Sequence, residues 1–275
     1  MPPTDIDGGY SGECRLKRGK TMKRAILSNF KQGILSISFA VGTVAIAVLI
    51  FLSSVETILN AVRGSGLLYS GFHTSLVLNA LKSDSIAFFT PVAAVLPMAV
   101  AYVEDIKSNY VRYYLFRSSR SAYIFGRICG SFVSGGLVLL LGILLAYGAS
   151  SLLFLPMERA ADAGVENILG LRDVILSSLL FFLSGGFWAL LGLAMSTLME
   201  SKYIAYASPF ILYYLLVILH ERYFTSLFVL SPKEWLVPSD KWFLGSWGPA
   251  VIVLELTLLA AMLFAINAER RLRQL

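Results

Sequence analysis

Apolar residues fall in long uncharged windows along this chain, and the polar residues crowd between them. A helix needs roughly 20 apolar residues to cross about 30 Å of hydrocarbon. Six windows reach or approach that length: residues 34–52, 86–103, 128–155, 174–199, 203–219 and 249–268. The first five hold no Asp, Glu, Lys or Arg, and the sixth holds only Glu255. The pattern predicts an all-α, polytopic membrane protein with six transmembrane helices in one domain, residues 22–275. Residues 1–21 are polar and Gly-rich, and are expected to form a disordered cytosolic tail. Ile26, Phe30 and Ile34 recur at four-residue steps, with Lys23, Arg24 and Lys31 beside them. That spacing predicts an amphipathic helix lying at the membrane surface before the first span. The run from residue 32 to 55 is uncharged and too long for a signal-peptide core, so it is read as a retained span.

Composition agrees with this reading. The chain is 57% hydrophobic and 15% charged, where soluble domains average roughly 25% charged. The net charge of +6 is an orientation signal. With the N-terminus inside, sixteen Lys and Arg fall on the inner side and seven on the outer, which places both termini in the cytosol. The basic residues flank spans and are not read as a nucleic-acid footprint. Cys14 and Cys129 both fall on the cytosolic side, which argues against a structural disulfide. Trp235, Trp242 and Trp247 cluster before the last window, as an interfacial aromatic belt would. Small residues four apart (Gly126/Gly130, Ser131/Gly135, Gly192/Ser196) allow close helix packing. Pro91, Pro97 and Pro209 can each kink a helix.

Enzyme signatures fail one by one. The segment from Cys14 to Thr21 ends like a phosphate-binding loop but lacks its first glycine and its preceding strand. His220-Glu221 opens like a zinc-protease motif, but Phe224 stands where the second histidine belongs. The chain has two histidines, His73 and His220, both in outer loops and read as solvated or headgroup-facing. No paired intramembrane aspartates exist. No catalytic residue, metal ligand or bound cofactor is expected.

The most informative stretch is residues 104–127, EDIKSNYVRYYLFRSSRSAYIFGR. Two acids, Glu104 and Asp105, follow the second window. A helix-like run to Phe116 carries Tyr110, Tyr113 and Tyr114 at i, i+3 and i+4, expected on one face. Arg112, Arg117 and Arg120 surround them, and Gly126-Arg127 opens the third window. This stretch resembles the ABC-2 type exporter permeases, on Glu104, the helix to Phe116, Ser119-Arg120, Tyr123 and Gly126-Arg127. Ser108-Asn109 replaces that family's Gly–Thr pair, and Ser118-Ser119 replaces its proline.

The resemblance implies a membrane subunit of an ATP-driven exporter in a cell membrane, bacterial in setting. A separate ATPase subunit would bind ATP and Mg, and a second permease copy or a relative would complete the pathway. An elbow helix would precede span one, and a cytosolic coupling helix would lie between spans two and three. Glu104, Asp105, Tyr110, Arg112, Tyr113, Tyr114, Phe116, Arg117 and Arg120 would form the ATPase-coupling surface, the acids pairing with ATPase arginines. Glu255 either lines the pathway or pairs with an outer-loop cation. Two other readings stay open: a secondary transporter or channel acting alone, and a non-transporting scaffold or immunity protein. The apolar spans point to a hydrophobic or amphipathic cargo.

Overall fold

The computed structural model describes residues 27–63, 68–116, 119–158, 165–239, 242 and 245–274. The tail 1–21, Ile26 of the first amphipathic helix, Cys14 and Arg117 lie outside the described residues. Within them the chain is helical, and one isolated bridge, Leu68 to Glu158, is the only β pairing.

Helix α1 (Leu27–Ile34) meets α2 (Ile37–Ser53) at a 54° bend. Ser36 makes that corner by capping α2, its hydroxyl accepting from Phe39 N–H. Asn29 and Gly33 form the buried face of α1, with Phe30 and Ile34 half-buried beside them. Helices α3 (Val55–Arg63), α4 (Phe72–Leu81) and α5 (Asp84–Val95) follow. The second apolar window is not one helix. α5 stops at Val95 and α6 (Ala101–Lys107) begins after a turn that contains Pro97. Proline lacks an N–H and crowds the residue before it, so the helix yields there.

A short helix α7 (Tyr110–Leu115) leads to the two longest elements, α8 (Arg120–Phe154) and α9 (Val165–Met199). Each has 35 residues, or about 52 Å at 1.5 Å per residue, well beyond the hydrocarbon thickness. Helix α10 (Lys202–Ile218), the one-turn α11 (Pro232–Leu236) and α12 (Gly248–Leu272) complete the fold. Among the described residues, four helices are long and apolar enough to cross a membrane, five if the bent α1–α2 pair is one crossing. That is the make-up of a helical membrane protein.

The outward faces fit that setting. Val41, Val44 and Val48 on α2, Ile211 and Leu215 on α10, and Leu258, Leu259 and Met262 on α12 are all exposed. Water would penalise such faces, and lipid does not. The interior is tight where small residues were expected. Gly135 and Gly185 bring α8 and α9 together so closely that a Cβ on Gly185 would lie 2.7 Å from the Gly135 carbonyl oxygen.

Trp235 and Trp242 correct the aromatic-belt expectation. Both are buried, Trp235 stacked on Trp188 and donating to the Val229 carbonyl at 2.8 Å, and Trp242 donating to Glu234. Only Trp247 of the three is exposed.

Candidate functional site

One end of the bundle gathers the basic residues Lys107, Arg112, Arg120, Lys202, Arg270, Arg271 and Arg273. Here α6 ends, α7 crosses, α8 starts, α9 turns into α10, and α12 ends. A buried polar cluster ties these elements together. Asp105 on α6 is enclosed, and Tyr123 and Arg127 sit one turn apart on the same face of α8. The Tyr123 hydroxyl donates to Asp105 Oδ2 at 2.6 Å, and the Arg127 guanidinium bonds the same oxygen. Its second terminal nitrogen reaches Gln32 Oε1 on α1 at 3.0 Å. Arg127 is 1% exposed. A charge so placed is tolerable only because the carboxylate compensates it.

Asp105 is therefore committed inside its own chain, which corrects the expectation that it pairs with a partner's arginine. Glu104, one residue earlier, points elsewhere and binds Lys202 at 2.6 Å, both half-exposed. Pairs of that kind contribute at most about 1 kcal/mol. Glu200, which turns the chain between α9 and α10 with φ 47, pairs with Arg271, and Arg271 also donates to the Leu198 carbonyl at 3.2 Å.

Helix α7 hangs on this cluster. Asn109, in the left-handed region at φ 56, makes the corner from α6, a conformation asparagine tolerates better than most residues. Val111 is buried, and Tyr114 and Leu115 are half-buried against Tyr123 and its neighbours. The Tyr114 and Tyr123 rings meet edge-on at 5.5 Å. The opposite side is bare: Tyr113 is 72% and Phe116 88% exposed, with Tyr110 and Arg112 exposed beside them. The three tyrosines thus do not share one face. Tyr110 and Tyr114 pair at 6.0 Å, but of the three Tyr114 alone turns inward onto Tyr123, and Tyr110 and Tyr113 stay exposed. The spacing argument failed because the six-residue helix starts at Tyr110 and its anchor is Val111, so the inward direction falls between i+1 and i+4.

Glu255 lies on the exposed face of α12, between Leu254 and Leu258, and has no ion-pair partner among the described residues. Arg120 is exposed at the start of α8.

At the opposite end, His73 corrects the solvated reading. It is buried against Tyr147, and its Nδ1 lies 2.7 Å from Glu158 Oε1. Glu158 also accepts the N–H groups of His73 (2.8 Å) and Gly71 (3.0 Å) at the start of α4. Gly71 offers no capping side chain, so a carboxylate 87 residues further on supplies the cap.

The sequence named Tyr123 and Arg127 as part of a motif but not their joint role. Their four-residue spacing and an acid just after the preceding window were the available signal. No family model matches this chain, and no curated protein matches it.

Proposed function

We propose that this chain is the membrane-spanning subunit of an ATP-driven exporter of the ABC-2 kind, coupled to a separate ATPase subunit. The observation that carries the reading is the two-sidedness of α7. Its outer side offers Tyr110, Tyr113, Phe116 and Arg112 to a partner, and its inner side is fastened through Tyr114 and Val111 to Tyr123. Aromatic residues and arginine are the side chains that most often anchor protein interfaces. A solvated loop has no use for such a surface.

In this reading the basic end is cytosolic, in keeping with the positive-inside rule. The chain crosses the membrane six times: the bent α1–α2, the broken α5–α6, and α8, α9, α10 and α12. The ATPase binds ATP and Mg and closes on them. Its motion reaches α7 and passes through Tyr114–Tyr123 and the Asp105–Arg127 pair into α6 and α8 together. Because one carboxylate oxygen holds both Tyr123 and Arg127, α6 and α8 move as one body. A second copy of the chain or a related permease completes the pathway, and the exposed Glu255 face of α12 lies toward it. A carboxylate inside the bilayer costs up to roughly 3 kcal/mol when it faces lipid, which favours a covered or hydrated position.

The test is association. Tyr113→Ala with Phe116→Ala removes the exposed anchors and leaves the buried side of α7 intact. The double variant is expected to fold and to lose its ATPase partner. Unchanged association would overturn the assignment of α7.

A further inference from the structure

Between α8 and α12, at the basic end, lies a groove of about 390 Å³ lined by Arg120, Ser121, Ile124, Phe125, Ile128, Ala265 and Glu269. Its wall on α8 follows one helix face, Ser121, Ile124, Phe125 and Ile128, and is apolar beyond the first turn. Its mouth carries one charge of each sign. Arg120 has no ion-pair partner among the described residues, and Glu269 uses Oε1 for Arg273 at 2.7 Å. Glu269 Oε2 accepts no other hydrogen bond among the described residues.

We infer that this groove binds a phospholipid with a zwitterionic, primary-ammonium headgroup of the phosphatidylethanolamine class. The floor suits an acyl chain, which gains by covering Phe125 and Ile128. Arg120, a planar fork of donors, suits the phosphate. Glu269 suits the ammonium, which donates up to three hydrogen bonds. A headgroup with phosphate alone would leave Glu269 facing an anion. A quaternary ammonium would bring positive charge but no N–H to donate. Only the primary ammonium satisfies both ends of the mouth. The groove opens where α8 emerges from its apolar stretch, at the depth where headgroups sit. This reading needs only that the chain lie in a membrane. It assigns Arg120 to lipid instead of to an ATPase, and the experiment is done with no ATPase present.

The purified chain in detergent would be mixed with phosphatidylethanolamine, phosphatidylglycerol or phosphatidylcholine of matched acyl chains. Retained lipid would be counted by native mass spectrometry. The intact chain should retain phosphatidylethanolamine about tenfold better than the other two, the worth of one charge-assisted hydrogen bond. Glu269→Gln should erase that preference, and Arg120→Gln should weaken all three. Arg273→Gln, which frees Glu269 from its neighbour, should keep the preference. Equal retention of the three lipids by the intact chain would overturn the inference, whatever the variants do. A preference that survives Glu269→Gln would overturn it as well.

Discussion

Arg127 and Asp105 stand 22 residues apart in the chain and bond to each other in the interior, with Tyr123 donating to the same carboxylate oxygen. The pair joins the end of α6 to the start of α8, and Gln32 brings in α1. Removing either partner leaves the other charge buried and unpaired. Asp105→Leu and Arg127→Met should each cost about 3–5 kcal/mol alone. Asp105→Leu with Arg127→Met should recover much of that loss, because an apolar pair of similar volume needs no compensation. Thermal unfolding in detergent, run as a double-mutant cycle, measures it. If the double change costs as much as the sum of the single ones, the two residues are not a unit.

The close approach of α8 and α9 at Gly135 and Gly185 makes a second prediction. Gly185→Ala should destabilise by about 1–3 kcal/mol, because its new methyl meets backbone that cannot move aside. Gly148 lies in the same α8, but a Cβ there would meet nothing within 4 Å. Gly148→Ala should be neutral or stabilising by up to about 1 kcal/mol. Melting temperatures of the two variants should move in opposite directions or differ clearly.

Glu158 and His73 predict an ordering. Glu158→Ala orphans three donors, the N–H groups of Gly71 and His73 and the His73 ring. Each orphan costs about 1–3 kcal/mol where water cannot reach it. His73→Ala removes the ring and keeps both backbone bonds, so it should loosen α4 less. Hydrogen exchange of the amides of residues 71–77 reads this directly. A larger effect for His73→Ala would mean that ring packing on Tyr147, not the cap, holds α4 in place.

Glu255 gives a functional prediction. If its exposed face borders the pathway, Glu255→Gln should change transport several-fold and leave ATPase association untouched. Cargo flux and co-purification, measured on one preparation, separate the two. Equal loss of both would place Glu255 in assembly.

Much of the helical frame was legible in the sequence because charge is costly inside a bilayer and its absence is easy to see. Windows 128–155, 174–199, 203–219 and 249–268 each fall on one long helix. The second window was legible only as apolar. Hydropathy does not register that Pro97 ends α5, since proline is compatible with an apolar count but not with an unbroken hydrogen-bond ladder. Gly135 was found by its spacing from Ser131, and its close approach to α9 is real. The tertiary partners were not legible. His73 looked like a loop histidine, and Trp235 like a headgroup anchor, because Glu158 and Trp188 are brought to them by folding. Asp105 and Glu104 are neighbours of identical charge type, yet one is buried and one exposed. Successive helix positions differ by about 100° in direction, and only the packing of α6 decides which of the two turns inward.

The most direct test of the central claim is to purify the chain gently from its native membrane and identify what comes with it. The account predicts an ATPase subunit in stoichiometric amount, lost when Tyr113 and Phe116 are both changed to Ala. A single-chain preparation that still moves cargo under an ion gradient alone would contradict it.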